Sequence, residues 1–323
     1  MKNGLVTVFG GSGFLGRYVV RALVAKGWRV RVPVRRPHTA NDLKVIGGVG
    51  QVQLMQANLR YENSVRRAIE GSDAVINLVA VLFEGGKQSF EALHVKGADT
   101  VARAAAEAGV TNYAHISAIG ADEDSDSDYA RTKGEGEDLT RQAVPTADIF
   151  RPSIIFGAED QFFNRFAKMA TMPSPIPPPL PLIGGGNTKF QPVFVEDVAE
   201  AIALRITQGT SGQTYELGGP RVYSFKELMK LMLAEIDRKR LLIPVPWVAA
   251  NMMGFAGEMS GMLPFVDPFL TRDQVTNLKK DNVVAPDALG FDALGIKPET
   301  VEAILPTYLG KYRKYGQFHE RQA

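Results

Sequence analysis

The chain has 323 residues, 45% of them hydrophobic, and its 37 lysines and arginines against 35 aspartates and glutamates leave a formal charge of +2. This length suits two domains with a large buried core, and the balanced charge gives no nucleic-acid footprint. The absence of cysteine excludes disulfides, thiolate nucleophiles and zinc–thiolate sites. The four histidines are too far apart in sequence to form an i,i+4 pair, so no metal site is predicted.

Neither a targeting segment nor a membrane span is predicted. The apolar run from Leu5 to Phe9 leads directly into a glycine loop, which leaves no room for the regions of a signal peptide. The longest run without charge, from Leu241 to Gly257, is shorter than the roughly 20 residues of a membrane span and is interrupted by prolines.

Strand and helix patterns alternate through residues 1–150, which are predicted to form one domain. Short apolar runs predict the strands, and apolar residues at helical spacing predict the helices between them. Such alternation is typical of a parallel sheet covered on both faces, which right-handed crossovers wind into a Rossmann-type, doubly wound α/β fold. The predicted strands are Leu5–Phe9, Arg29–Val34, Val52–Met55, Ala74–Val79, Tyr113–Ser117 and Ala147–Phe150, and the predicted helices are Phe14–Lys26, Glu62–Glu70, Gly86–Ala108 and Tyr129–Gln142.

The pattern changes in residues 151–323, for which we predict a smaller C-terminal α/β lobe, partly interleaved with the first domain, that binds a substrate or a partner. A proline-rich stretch, Met172–Pro181, is expected to be extended. Ser224–Ile236 is predicted to be a helix that begins with a capping box, in which Glu227 is the partner of the first serine.

A glycine-rich loop follows the first predicted strand and opens the first predicted helix. Gly10 permits a tight turn, Gly13 lets the backbone approach a pyrophosphate, and Gly16 allows the helix to pack closely on the strand. The free N–H groups at the start of such a helix face the phosphates of a bound dinucleotide. The alternative is a glycine-rich turn without a ligand. The loop residues predicted to bind the cofactor are Gly10, Ser12, Gly13, Phe14, Leu15 and Gly16.

The end of the second predicted strand indicates which dinucleotide is bound. NAD-specific folds place a carboxylate there for the ribose 2′-OH, whereas this chain has Arg35 and Arg36. Two guanidiniums suit a 2′-phosphate, because they form charge-assisted, bidentate hydrogen bonds. We therefore predict NADP(H), with Arg17 at the helix start as a further phosphate contact; the alternative is a solvated basic turn.

These features resemble the short-chain dehydrogenase/reductase superfamily, in its extended or atypical, epimerase/dehydratase-like branch. The resemblance rests on the glycine spacing, on the segments after the third, fourth and sixth strands, and on a Tyr-x-x-x-Lys signature. The residues that it places at the cofactor are Asn58, Leu59, Leu78, Val79, Ala80, Pro152 and Ile155, together with the signature residues Tyr129 and Lys133.

Tyr129 and Lys133 are one turn apart on one face of a predicted helix, and the resemblance gives them roles at an active site. In a working dehydrogenase the lysine lowers the pKa of the tyrosine, which exchanges a proton with the substrate oxygen. Ser117 is the candidate for steadying that oxygen, but Ala118 and Ile119 after it donate no side-chain hydrogen bond. We therefore expect an incomplete catalytic site whose three residues contact the cofactor; the alternative is an ordinary helix face.

Within the superfamily, five sequence segments together resemble the dinucleotide-binding accessory subunit of respiratory complex I (NADH:ubiquinone oxidoreductase), in a bacterial form. The resemblance implies tightly bound NADPH without established turnover. It also implies a peripheral position against subunits of the hydrophilic arm, on the cytoplasmic side of the inner membrane. The segments are His115–Asp122, Tyr129–Glu137, Phe162–Phe166, Gly185–Val193 and Val195–Ala199.

Two other functions remain open from the residues. One is an NADPH-dependent reductase or epimerase of a small carbonyl or sugar-nucleotide substrate, and the other is a module that senses the NADPH/NADP ratio. The sparsely charged stretch 242–269 predicts either core packing or an exposed face for a partner or a membrane surface. The acidic run Asp122–Asp128 is expected to be a solvated loop rather than a metal site.

Overall fold

The computed structural model describes residues 4–86, 88–173, 178–261, 268–314 and 316. Parts of the proline-rich stretch (174–177) and of the sparsely charged stretch (262–267) therefore lie outside the described residues. The chain divides into two compact units, each assembled from three segments of the sequence. The first unit comprises Met1–Pro152, Val195–Leu217 and Ala285–Ile296, and the second comprises Ser153–Phe194, Gly218–Val284 and Lys297–Ala323.

Within the described ranges, thirteen strands and ten α-helices form, together with a π-helical turn at Glu91–Val95. The strands are β1 (Leu5–Phe9), β2 (Arg29–Val34), β3 (Val52–Gln56), β4 (Ala74–Asn77), β5 (Tyr113–Ile116), β6 (Asp148–Pro152), β7 (Ile155–Phe156), β8 (Leu180–Ile183), β9 (Lys189–Phe190), β10 (Val193–Phe194), β11 (Thr214–Leu217), β12 (Tyr223–Ser224) and β13 (Leu242–Val245). The helices are α1 (Phe14–Ala25), α2 (Glu62–Ile69), α3 (Lys96–Glu107), α4 (Asp128–Ala143), α5 (Phe163–Ala170), α6 (Val195–Gln208), α7 (Phe225–Glu235), α8 (Trp247–Gly261), α9 (Arg272–Asn277) and α10 (Val301–Leu309).

A seven-stranded sheet, parallel throughout, forms the centre of the first unit. Its strand order is β3-β2-β1-β4-β5-β6-β11, and the direction of winding reverses between β1 and β4. Ligands of such sheets bind in the crevice outside the carboxyl ends of the strands at this reversal. The predicted Rossmann-type, doubly wound α/β fold is thus confirmed, and it brings the loops after β1 and β4 to one crevice.

The strands of this sheet are apolar because both faces of the sheet are covered. The side chains that carry this burial are β-branched and fit the pleated surface. The apolar β-branched side chains without any solvent exposure in β1, β2 and β4 are Val6, Val8, Val30, Val32, Val75 and Ile76. The strands are therefore held firmly by their buried side chains, and this packing fixes the position of the loops that follow their carboxyl ends.

The helix predicted over Gly86–Ala108 is wrong in its first turn. The residues concerned lie beside the crevice. Gly86 has a φ of +57°, and Gly85 pairs with Gln88 across a tight turn. The helix begins only at the π-helical turn Glu91–Val95, which continues into α3. The spacing of apolar residues does not reveal the positive φ of Gly86. Glycine adopts this left-handed conformation at little cost because it has no Cβ.

The second unit is built from two-stranded pairs and the helices α5 and α7 to α10. β7 pairs with β10 and β8 with β13 in parallel, whereas β9 pairs with β12 in antiparallel orientation. The predicted capping box of α7 is confirmed, because the Glu227 N–H donates to Ser224 Oγ at 3.2 Å and the Ser224 N–H donates to Glu227 Oε2 at 2.7 Å.

We expect a Tyr308→Phe variant to lose about 2 kcal/mol of unfolding free energy, because a buried carboxyl group loses a donor. The Tyr308 hydroxyl donates to Asp160 Oδ2 at 2.6 Å, and Asp160 is 3% exposed. Urea unfolding measures the change. Tyr312→Phe is the matched control, since the Tyr312 hydroxyl donates to the neutral Asn164 side chain at 3.1 Å; an equal loss in both variants would contradict the role of Asp160.

Candidate functional site

The loop between β1 and α1 has the backbone geometry of a phosphate cradle. Gly10 has a φ of +79°, and a Cβ there would lie 2.9 Å from the Leu78 carbonyl carbon. A Cβ at Gly16 would lie 2.2 Å from the Gly10 carbonyl oxygen. Gly13 is the N-cap of α1 and supplies no side-chain acceptor, so the first N–H groups of the helix remain available to an anion.

A cavity of about 280 Å³ opens beside this loop, within the first unit. It lies where the carboxyl ends of β1 to β4 meet, as expected for a ligand site of this fold. The predicted cofactor residues that the fold brings together in its wall are Gly10, Ser12, Gly13, Arg35, Asn58, Leu59, Leu78, Val79 and Ala80. The wall residues that sequence reasoning missed are Phe9, Pro33, Val34, Ala57, Arg60, Val81, Gln88 and Leu93.

The other predicted cofactor residues do not line this cavity. Arg17 is engaged elsewhere: its Nη1 lies 2.6 Å from Asp42 Oδ2, and its Nε donates to the Ser12 carbonyl at 3.3 Å. Arg17 therefore fixes the glycine loop through its backbone. The predicted residues outside the wall are Phe14, Leu15, Gly16, Arg17, Arg36, Ser117, Tyr129, Lys133, Pro152 and Ile155.

Two exposed arginines, Arg35 and Arg60, line the cavity. Arg35 follows β2 and Arg60 follows β3, and the Ala57 N–H donates to the Val34 carbonyl at 3.0 Å, which holds the two strand ends side by side. In the part of the chain that the structure describes, neither guanidinium has an ion-pair partner, and no carboxylate lines the cavity. Unpaired positive charge of this kind suits a phosphate better than a ribose hydroxyl.

The Tyr-x-x-x-Lys pair lies on α4, as predicted, but its lysine is buried. Lys133 is 1% exposed, and its Nζ donates to the Ile116 carbonyl at 2.5 Å. Burial lowers the pKa of Lys133 to about 8, because desolvation disfavours the ammonium, and Glu137 offsets part of this effect. The Lys133 ammonium is thus engaged with the backbone beside the end of β5.

Ser117 places an unsatisfied hydroxyl directly after β5. The residue is 5% exposed, and its Oγ has no hydrogen-bond partner among the residues that the structure describes. An unpaired buried hydroxyl costs free energy, and a bound polar ligand removes that cost. The open phosphate cradle and this hydroxyl are both consistent with a polar ligand in the first unit.

Two buried histidines in the first unit are neutral at pH 7. Burial lowers the pKa of His94 to about 3, and the positive charge of Lys133 adds to the effect. Burial likewise lowers the pKa of His115 well below its ordinary value, again with a contribution from Lys133.

We expect the free energy of unfolding to fall by about 2 kcal/mol through His94 alone as the pH falls from 7 to 5. The unfolded chain takes up a proton on His94 near the ordinary pKa of 6.5, whereas the folded chain takes it up only near 3. The unfolded state therefore binds more protons across this window, so stability decreases with acidification. Urea unfolding of the wild type and of His94→Gln at both pH values measures the difference; an equal loss in both would contradict it.

Among the described helices, none has both the length and the apolar character needed to cross a membrane. Among all the described residues, no group of three or more histidines, aspartates and glutamates is arranged to hold a metal ion.

Comparison with known proteins supports the assignment of a family. The model of the NAD dependent epimerase/dehydratase family matches residues 6–218. The mitochondrial NADH dehydrogenase (ubiquinone) 1 alpha subcomplex subunit 9 of Arabidopsis thaliana is 36% identical over 323 residues, which cover 97% of this chain and 79% of that protein. The mitochondrial NADH-ubiquinone oxidoreductase 40 kDa subunit of Neurospora crassa is 32% identical over 313 residues, with 97% of this chain and 80% of that protein covered.

A solved structure shares the fold. The crystal structure of an NADPH-dependent quinone oxidoreductase from Escherichia coli, complexed with NADPH, matches with a TM-score of 0.71 and 20% identity, covering 94% of this chain and 99% of that one. The predicted resemblances are confirmed by the family model and by the relatives that match most of the chain. The chain therefore belongs to the NAD-dependent epimerase/dehydratase family and, within it, to the group that contains the NADH dehydrogenase (ubiquinone) 1 alpha subcomplex subunit 9 proteins.

Proposed function

We propose that this chain is an accessory subunit of respiratory complex I that holds NADP(H) as a structural ligand. The observation that carries the proposal is the extent of the similarity to proteins named as NADH dehydrogenase subunits, which includes 97% of the chain. That similarity runs through segments of both compact units. It therefore supports shared partner surfaces as well as a shared nucleotide fold.

The cavity of the first unit supports a dinucleotide that carries a phosphate on its ribose. The glycine loop keeps side chains away from the start of α1, where backbone amides suit a diphosphate. Arg35 and Arg60 stand unpaired in the wall, where an NAD-specific fold has a carboxylate. We therefore propose NADP(H) rather than NAD(H) as the ligand, with the 2′-phosphate held by these guanidiniums and by the neighbouring Arg36.

The side chains of the predicted catalytic site favour a ligand that is held rather than turned over. Lys133 is buried and donates to a backbone carbonyl. Ser117 is followed by Ala118 and Ile119, which provide no side-chain donor for a substrate oxygen. A ligand that binds only the folded state stabilises it by mass action, by roughly 4 kcal/mol at a thousandfold excess over its dissociation constant.

Affinity purification of the tagged chain from the membranes of its native cells tests the proposed partnership. We expect subunits of the hydrophilic arm of complex I to co-purify in equimolar amounts. A tagged protein of similar abundance and no relation to the complex serves as the control. If hydrophilic-arm subunits are no more abundant with this chain than with the control, the proposal is wrong.

We further propose that the chain is peripheral to the cytoplasmic face of the inner membrane and that α8 contacts the lipid surface. Several large apolar side chains of this helix are exposed: Val248 is 76% exposed and Met252 is 70% exposed, whereas Ala250 and Gly254 are buried. A Cβ at Gly254 would lie 2.7 Å from the Arg272 backbone nitrogen, so the small side is the packed side. An exposed apolar stripe of this kind suits an apolar surface.

Flotation with vesicles of phosphatidylethanolamine and phosphatidylglycerol tests the contact of α8 with lipid. We expect Met252→Glu to lower the bound fraction severalfold, because a carboxylate would then have to enter the apolar layer. Val222→Glu is the control, since Val222 is an exposed apolar residue of the same unit outside α8. Equal binding of both variants would show that α8 does not carry the contact.

A second function, an NADPH-dependent reductase, is favoured by one observation. Tyr129 keeps its one-turn spacing to Lys133 on α4 and packs edge-on against Phe90, with the ring centroids 5.7 Å apart. Oxidation of NADPH by a panel of small carbonyl compounds, abolished in Tyr129→Phe, would establish this activity. If NADPH stays reduced with every compound, the reductase function is contradicted and the structural role of the nucleotide is supported.

A further inference from the structure

His94 lies in an unusual piece of backbone beside the cavity. It belongs to the π-helical turn Glu91–Val95 and is 1% exposed. Its neighbour Leu93 lines the cavity. Single π turns inside helices occur frequently at functional sites.

Both ring nitrogens of His94 have hydrogen-bond partners on different elements. The Val81 backbone N–H donates to Nε2 at 3.1 Å, and Nδ1 lies 3.2 Å from Thr132 Oγ1. The Thr132 hydroxyl donates to the Asp128 carbonyl at 2.7 Å, so its oxygen accepts from Nδ1–H. The imidazole is therefore neutral, with its hydrogen on Nδ1, and it joins the segment after β4 to α4.

The aromatic and backbone contacts of His94 hold it between the same elements. Its ring stacks on Phe90 at 5.3 Å and meets Tyr129 edge-on at 5.4 Å. A Cβ at Gly136 would lie 2.2 Å from the His94 carbonyl oxygen, so α4 approaches the π turn at backbone distance. The imidazole thus has little freedom to move without moving α4.

The segment that His94 holds is part of the cavity wall. β4 ends at Asn77, and Val79, Ala80 and Val81 continue beyond the sheet into the wall. Two side chains hold this segment: Asn77 Oδ1 accepts from the Val79 N–H at 3.1 Å, and His94 Nε2 accepts from the Val81 N–H. We propose that His94 is a positioning residue that fixes this wall through Val81, so that NADP(H) affinity depends on its Nε2. The inference rests on the proposed function, because it concerns the same cavity.

Two substitutions separate the roles of the two ring nitrogens. The amide oxygen of glutamine reaches the position of Nε2 and can accept from Val81, whereas asparagine reaches only the position of Nδ1 and leaves the Val81 N–H unpaired. We expect His94→Gln to bind NADPH within about threefold of the wild type and His94→Asn to bind it at least about tenfold more weakly. Titration of the full chain at neutral pH, after removal of any bound nucleotide, measures both affinities through the fluorescence of NADPH.

Controls distinguish positioning from a general loss of stability. Thr132→Val removes the acceptor of Nδ1–H and leaves the Val81 bond, so it should lower the urea midpoint while keeping NADPH affinity. Equal losses of affinity in His94→Gln and His94→Asn, or no loss in either, would overturn the positioning role. A wild type that does not bind NADPH would instead overturn the proposed function.

Hydrogen exchange at the Val81 amide gives a second measurement that does not require His94→Asn to fold. We expect this amide to be protected in the wild type, in His94→Gln and in Thr132→Val, since the acceptor is present in all three. Rapid exchange of the Val81 amide in the wild type would overturn the positioning role.

Discussion

A Gly16→Ala variant is expected to lose NADPH binding and about 2 kcal/mol of unfolding free energy together. Its Cβ would lie 2.2 Å from the Gly10 carbonyl oxygen and 2.6 Å from the Gly11 Cα. Because these are backbone atoms of the loop itself, the strain is relieved only when the loop and α1 move apart. That movement displaces the amides proposed to hold the diphosphate. Fluorescence titration with NADPH and urea unfolding measure the two effects.

Alanine substitutions at two other glycines distinguish a loss of NADPH affinity from a loss of stability in the same experiment. A Cβ at Gly13 would meet the Gly10 carbonyl oxygen at 3.3 Å, a contact that a small shift accommodates. Gly13→Ala should therefore fold with nearly wild-type stability but bind NADPH at least about tenfold more weakly, because the methyl group enters the space of the diphosphate. Gly48→Ala, whose Cβ has no neighbour closer than 3.7 Å, should change neither property. Wild-type affinity in both Gly16→Ala and Gly13→Ala would refute the role of the loop.

An Arg35→Asp variant is expected to reverse the preference between the two nucleotides. The change removes charge-assisted hydrogen bonds to a 2′-phosphate and adds a repelling charge. Both effects should weaken the binding of NADPH, by about a hundredfold or more. The new carboxylate can accept from a ribose 2′-OH, so NADH affinity should hold or improve. Parallel titrations with NADPH and NADH give the ratio.

The matched control for this reversal lies at the other end of the same strand. Arg29 begins β2, whereas Arg35 directly follows it, and both side chains are exposed. Arg29→Asp makes the same change of charge away from the cavity and should leave the ratio of NADPH to NADH affinity unchanged. Equal weakening of both nucleotides by Arg35→Asp would remove the assignment of a 2′-phosphate site.

Local signals in the sequence were sufficient for the fold and for one side of the site. The strand–glycine loop–helix order at β1 and α1 depends on nearby residues alone, and the strands of a covered parallel sheet are short apolar runs. Gly10 and Arg35 could be predicted because each directly follows a strand, whereas Asn58, which lies beyond Ala57 after β3, was predicted from the family resemblance. In a parallel sheet the positions after neighbouring strands meet at one edge.

Other features of the site depend on contacts that are distant in sequence. The burial of Lys133 results from the packing of α4 beside β5, where it donates to the Ile116 carbonyl. The role of His94 appears only when Val81 and Thr132 are brought to opposite sides of one imidazole. Arg60 could have been found, because it directly follows Asn58 and Leu59 and is basic like Arg35.

The nucleotide content of the isolated protein is the most direct test of whether the first unit holds NADP(H). The protein is purified without added nucleotide and denatured, and the released compounds are identified by chromatography and mass spectrometry. We predict an equimolar amount of NADPH or NADP from the wild type and none from Gly16→Ala. Release of NAD(H) in its place, or of no nucleotide from the wild type, would contradict the proposed ligand.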